Sequence, residues 1–253
     1  MRARFRGRTE LIAPIEALGR GHLRCQVHDR ELRATLMPRY RLGCKRPILS
    51  STYYPALSQG NVDVVTEGIQ RVDGGAIVCR DGARHELDTI ITAIGYRCSR
   101  SLLVNRVVSR EGGTLGETWN QSPRAYLGTT VPGFPNMFIL LGPNSIGINS
   151  VIFSLESQIA CVMDALRTME RRGITRIELG HEALADYIAE CDRRSTGSVW
   201  TDGGCKAYHT DHEGRNYAIH AGFASGYRWR RRWFDLAPYM VATAEHDAEA
   251  VEA

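Results

Sequence analysis

Apolar positions along this chain follow two periods, and the switches between them mark its elements. "DRELRATLMPRYRLG" carries a short helical pattern up to Leu36. Pro38 ends it, because proline lacks an amide and disfavours helix in the residue before it. From Asn61 the period becomes that of strands: "NVDVVT", "IQRV", the turn "DGG", "AIVC", a second turn "DG" at 81–82, then "HELDTIITAIGY". Asp-Gly between such runs predicts hairpins, since glycine takes the positive φ of a tight turn. The region reads as a small antiparallel β meander feeding "TIITAIG" from Thr89, which is apolar on both faces and predicts a strand buried in a parallel sheet.

A second unit follows Gly95. "MFILLGP" predicts another buried strand, "GPNSIGINS" a loop, and a helix runs from about Leu155 to Arg172. Leu155, Ile159, Val162, Met163 and Leu166 recur at helical spacing, Arg171 and Arg172 fill the last turn, and Gly173 follows. "ITRIEL" predicts a short strand and "HEALADYIAECDRR" a second amphipathic helix. A strand, a glycine-bearing loop and a helix in this order form the arrangement that binds a cofactor at the carboxyl edge of an α/β sheet.

Composition narrows the field. At 253 residues and 43% hydrophobic the chain can bury one large core or two smaller ones, and its net charge of +4 makes no case for nucleic acid. "YRWRRRW" at 227–233 has the basic-aromatic mixture of an RNA-binding patch. Seven cysteines form no CxxC and leave an odd count, which predicts free thiols in a reducing, cytoplasmic compartment. The longest apolar run, "MFILL", falls far short of the roughly 20 residues of a membrane span. "MRARFRGR" at the start has no apolar stretch after its arginines and reads as a solvated, frayed segment, or as an Arg-rich transit segment.

The usual chemical signatures are missing. "GRGHLR" at 19–24 has Arg24 where the third glycine of GxGxxG belongs, and no strand is predicted before it. "YHTDHEG" offers His209, Asp211 and His212 without helical spacing or a cysteine at ligand distance, so no metal is expected there. No GxSxG elbow anchors a hydrolase triad.

What remains is an ordered series of motifs. "GCKRP" at 43–47, "STYYPAL", "ELDTIITAIGY", "YLGTTVPGFPNMFILLGPN", "LESQ", "SVWTDGGC", "GRNYAIHAGF" and "RWFDLAPY" resemble, in this order, the carboxyl-terminal half of Baeyer-Villiger-type flavin-containing monooxygenases. The resemblance runs from about Arg33 to about Met240. It implies an α/β fold with a partial three-layer, dinucleotide-binding (Rossmann-like) architecture. Residues 1–95 would be the later part of an NADPH-binding domain, and 96–253 the returning part of an FAD-binding domain with an extended tail. It also implies insertion of one atom of O2 into a ketone or aldehyde, with FAD and NADPH as cofactors. Oxygenation of sulfur or nitrogen, or a noncatalytic remnant, are the alternatives. The chain lacks both GxGxxG motifs of the family and its FxGxxxHxxxW fingerprint. It is therefore expected to be inactive alone, and a separate amino-terminal half is a possible partner, with no role for nucleic acid or membrane.

The resemblance also assigns residues. Lys45 is one of only two lysines in the chain, and beside it stands Arg46. Arg46 corresponds to an arginine over the flavin, where a permanently charged guanidinium faces developing negative charge. Lys45 corresponds to a residue near the nicotinamide nucleotide, meeting a phosphate as a point charge. By themselves the two would read as a solvated basic turn. Gly95 falls in the segment that rejoins the FAD domain, with Ile94 where threonine is usual. Gly142, Pro143, Asn144, Asn149 and Ser150 fall in the loop under the flavin, with Ile148 replacing a polar residue; the residues alone read as a plain turn. Trp200 matches a tryptophan on the NADPH and substrate side of the pocket, and reads equally as a buried structural residue.

Overall fold

The structure, a computed structural model, describes residues 12–95, 102–146, 150–205 and 207–244. These cluster into two compact units, one containing 12–42 and 46–95, the other 43–45 and the described residues from 102 onward.

In the first unit, helix α1 (Ala13–Gln26) opens with Pro14 in its first turn, where a missing amide costs nothing. No periodicity signalled this helix, which contains the partial glycine motif at 19–24. Helix α2 (Arg30–Leu36) starts at Asp29, whose carboxylate accepts from the Leu32 amide at 2.6 Å, and stops before Pro38 as expected. A one-turn helix, α3 (Tyr53–Leu57), follows. Glu16 of α1 accepts from Arg41 Nε at 2.8 Å and from the Leu42 amide at 3.0 Å, drawing that loop back onto the helix. The meander forms as read: β1 (Ile69–Asp73), β2 (Ala76–Cys79) and β3 (Arg84–Glu86) pair antiparallel in sequence order. Gly74 and Gly82 turn between them at φ +59° and +91°.

The two long apolar runs of this unit differ from expectation. "NVDVVT" and "TIITAIG" belong to no strand, and Ile91 and Ile94 are 88% and 90% exposed. A strand exists only where a neighbour satisfies its amides and carbonyls, and no described strand lies beside either run.

In the second unit, α4 (Leu115–Trp119) is set by a reciprocal capping box between Thr114 and Glu117, and Leu115 enters a core with Ala125, Val131 and Phe134. "MFILLGP" is not a strand either; the Ile139 amide reaches the Thr129 carbonyl at 2.7 Å, but no ladder forms. Helix α5 (Val151–Arg172) begins four residues before the predicted start and ends at Gly173 with φ +63°. It is followed by β4 (Ile174–Leu179), α6 (His181–Ser195), α7 (Val199–Asp202) and α8 (Ala224–Arg230). The last strand, β5 (Tyr239–Thr243), returns from the tail to pair antiparallel with β4. The basic tail is helical at α8. Described residues thus form an α/β chain whose sheets are small and antiparallel.

Helix α5 packs the reverse of its sequence pattern. Its buried face is Ser154, Ser157, Gln158, Cys161, Ala165 and Thr168, whereas Ile152, Ile159, Met163 and Leu166 are exposed. Small residues let the helix approach its neighbours closely, and polar ones answer backbone groups there.

One cysteine expectation is overturned. Cys44 and Cys205, 161 residues apart, form a disulfide, while Cys25, Cys79, Cys161 and Cys191 are free and Cys98 lies outside the described residues. Spacing along a chain carries no information about approach in space, so the odd count was a poor guide, and thiol usage no longer argues for a reducing compartment. No helix among the described residues is long and apolar enough to cross a membrane.

Candidate functional site: a polar knot beneath the start of helix α5

Four of the quoted motifs converge in the second unit. In "YLGTT", Leu127 and Gly128 both adopt positive φ, 51° and 71°, turning the chain so that Gly128 lies against Gly142 of "GPNS". A Cβ at Gly142 would stand 2.4 Å from the Gly128 carbonyl oxygen, and one at Gly128 would stand 2.8 Å from that of Pro143. Only glycine permits this approach from either side. Gln158 of "LESQ" then joins both loops: its side-chain oxygen accepts from the Leu141 amide at 2.8 Å, and its nitrogen donates to the Gly128 carbonyl at 3.1 Å.

The loop continues into "GRNYAIH". The Asn144 and Ile146 amides donate to the Tyr217 and Ala218 carbonyls at 2.7 and 3.1 Å, and the His220 amide returns to Ile146 at 2.8 Å. Asn144, at φ +55°, donates from Nδ2 to the Asn216 carbonyl at 3.0 Å. Asn216 in turn donates to Ser195 Oγ at 3.2 Å and accepts from the Ile219 amide at 2.9 Å. Arg231, 1% exposed, donates from Nε and Nη2 to the Leu127 carbonyl at 3.2 and 2.7 Å, with its guanidinium carbon 3.4 Å from the centre of the Tyr227 ring. The basic tail therefore has structural employment: Arg231 closes the glycine turn, Arg230 pairs with Glu190, and Arg232 lies over Trp233.

Burial decides protonation here. Desolvation, followed by the guanidinium charges of Arg231, Arg194 and Arg230, pushes His220 down to about 3. His209, also lowered by burial, donates from Nε2 to the Trp200 carbonyl at 3.3 Å. Asp211 accepts from Ser122 Oγ and from the Glu213 and Arg215 amides, so this segment serves to pin its own loop.

Of the predicted residues, Gly142, Pro143 and Asn144 lie together and buried in the knot. The Asn144 amide and Nδ2 are used within the protein, but its Oδ1 is buried with no partner among the described residues. Asn149 lies outside the described residues, as does Ile148. Ser150 is the exposed residue at the start of α5, and its side chain does not cap the helix. Trp200 is buried in α7. Lys45 is exposed and belongs to the second unit, next to disulfide-bonded Cys44; Arg46 is also exposed but clusters with the first unit, as does Gly95 at φ +80°.

Gly128, Gln158, Asn216 and Arg231 were given no role by sequence reasoning. All four stand inside or beside quoted motifs, and a buried amide or guanidinium is the kind of residue such motifs preserve space for; only their contacts reveal it. A cleft of about 230 Å³ borders the knot at Leu127, lined also by Tyr126, Arg230, Trp233 and Tyr239 among others, and no predicted site residue lines it. Within the second unit, a 22-residue helix whose start carries no side-chain cap and the unsatisfied Asn144 oxygen beside it suit these residues to binding a polar molecule.

No protein-family model matches the chain. It is 39% identical over 241 residues, 94% of its length, to a Baeyer-Villiger monooxygenase of Pseudomonas aeruginosa, of which it covers 46%. Among solved structures it is similar to a steroid monooxygenase bound to NADP, with a TM-score of 0.76, 27% identity, and coverage of 92% of this chain and 46% of that one. Its fold also matches that of a protein named OTEMO in complex with FAD and NADP, with a TM-score of 0.82 at 23% identity, over 93% of this chain and 45% of that one. The chain thus spans about half the length of the relatives it matches.

Proposed function

The chain belongs with the Baeyer-Villiger-type flavin-containing monooxygenases, whose carboxyl-terminal portion it matches, and we propose that it is that portion of an FAD- and NADPH-dependent enzyme inserting one atom of O2 into a ketone or aldehyde. The observation that carries the reading is the convergence of "YLG", "GPNS", "LESQ" and "GRNYAIH" on one buried knot around the first turns of α5. Motifs that resemble a flavoenzyme family only by their order along the chain also meet in space.

The residues present fit a flavin nucleotide. Helix α5 starts without a side-chain cap, its first-turn amides have no partner within the helix itself, and the buried Asn144 Oδ1 has no partner among the described residues. The glycine pair lets the two loops pack backbone against backbone, which fixes the course of the loop that leads toward α5. In this reading Gly142, Pro143, Asn144, Asn149 and Ser150 hold the flavin side, while Gly95, Lys45 and Trp200 belong to the nucleotide side. FAD, reduced by NADPH, supplies the activation of oxygen. Arg46 keeps its charge at every physiological pH and offers fixed donors to negative charge developing beside it. Lys45 holds a phosphate. On the same reading residues 1–95 complete an NADPH domain and 96–253 an FAD domain of partial Rossmann-like architecture, and the chain alone does not turn over.

The test joins this chain to the amino-terminal half of the Pseudomonas relative. The joined protein should bind FAD, oxidise NADPH and oxygenate a ketone, while the isolated chain should purify colourless. Arg46→Ala should lower product formation by roughly 10² to 10³, with NADPH oxidation continuing and hydrogen peroxide released instead. Lys45→Ala should raise the NADPH concentration required, because a phosphate contact contributes to binding. A joined protein that binds flavin and yields unchanged product in Arg46→Ala would refute the assigned role.

A further inference from the structure

The Cys44–Cys205 disulfide immediately precedes the two cations along the chain. It joins "GCK" to the residues following α7, across 161 positions of sequence, with the two Cα atoms 6.1 Å apart. The surroundings are shaped for it. A Cβ at Gly203 would stand 2.7 Å from Cys44 Cβ and 2.8 Å from its Sγ, so glycine there makes room for the sulfur. Gly43, at φ +91°, turns the chain so that its α-carbon faces Val199 of α7. Cys44 itself is 1% exposed, whereas Cys205 remains partly accessible. Beyond Lys45 the chain runs through exposed residues 46–50, with Ile48 and Leu49 86% and 99% exposed. Apart from the short anchor at Gly43–Lys45, burial of apolar surface does little to hold this stretch.

We infer that Cys44 and Cys205 are positioning residues, and that their disulfide is a thiol-sensitive clamp holding the Gly43–Lys45 segment, the start of the cation-bearing stretch, to the α7 region. The inference rests on the reading of those two cations as the functional pair. Opening the clamp consumes a dithiol. Its thiolate attacks Sγ of Cys205, the accessible end, and the Cys44 thiolate leaves and takes up a proton. The second thiol of the dithiol then displaces Cys205, so two electrons and two protons pass from reagent to protein and the reagent becomes a cyclic disulfide. The result is a chain with the same fold and a released cation segment.

The experiment uses the 253-residue chain at a temperature well below its melting point. A nonreducing peptide map should contain a linked Cys44–Cys205 peptide. Hydrogen exchange is then followed with and without dithiothreitol. Reduction should accelerate exchange across residues 42–50 by about tenfold or more, and trypsin cleavage after Lys45 with it, while α5 and α6 keep their protection. Reoxidation should restore the original pattern. Cys44→Ala/Cys205→Ala should show the released pattern under both conditions; should that variant fail to fold, the reversible response of the unmodified chain is the deciding measurement. A map without the linked peptide, exchange at 42–50 indifferent to reduction, or loss of protection throughout the chain would overturn the inference. None of these readouts depends on flavin or turnover, so a clamp that behaves as described in a chain whose Arg46 proves unimportant would refute the functional reading and leave the clamp intact.

Discussion

Gln158 is a fully buried amide that answers two backbone groups, one on each glycine loop. Gln158→Leu keeps the volume but orphans the Leu141 amide and the Gly128 carbonyl. At about 1–3 kcal/mol for each buried group left unpaired, the substitution should cost about 2–6 kcal/mol, read from chemical denaturation. A loss below 1 kcal/mol would show that water replaces the amide. His220 gives a pH prediction. Its folded pKa lies below the unfolded value of about 6.5, so between roughly pH 6.5 and its folded value near 3 the unfolded chain binds a proton that the folded one refuses. Stability attributable to this group is therefore complete above pH 6.5 and falls as the pH drops. His220→Asn should flatten the decline in melting temperature between pH 6.5 and 4 relative to the unmodified chain; parallel curves would refute the assignment. Neither residue's role was legible from sequence, because a Gln in a helix or a His in a loop looks the same exposed or buried.

At the scale of elements, α5 is the informative case. Its sequence carries a stripe of large apolar residues and a stripe of small and polar ones, and the fold buries the second. Replacing Ile152, Ile159 or Met163 singly with serine should change the stability of this chain by no more than about 0.5 kcal/mol, beyond a small helix-propensity cost. Ser157→Leu should cost about 1–3 kcal/mol by overpacking the face that lies closest to its neighbours. Denaturation curves of the four variants decide it, and the opposite order of effects would mean that the stripe is buried in solution. Elements defined by local rules were legible: α2 between Asp29 and Pro38, the meander through its Gly turns, β4, and α6. Elements that depend on a distant partner were not. β5 exists because β4 lies 60 residues upstream to receive it, and "TIITAIG" fails to be a strand because nothing among the described residues pairs with it.

Across the whole molecule, the first unit exposes Ile90, Ile91 and Ile94 in one run and the second exposes the α5 stripe. Both are large apolar surfaces of the kind that mark contact with another protein segment. The isolated chain should therefore self-associate as its concentration rises, and joining it to the amino-terminal half of its relative should abolish this. Sedimentation velocity over a concentration series measures it, and a monomer at all concentrations would count against the prediction. What the sequence determined by itself was the order of the motifs, and hence the family, together with the turns of the meander and helices α2 and α6, because each depends on residue type within a few positions. What only the tertiary structure decided was which motifs meet, which face of α5 is buried, that Cys44 reaches Cys205, and that Arg231 of a basic tail lies inside the protein. These depend on approach between residues tens to more than a hundred positions apart. Such approach is set by the packing of the whole chain, and no local periodicity encodes it.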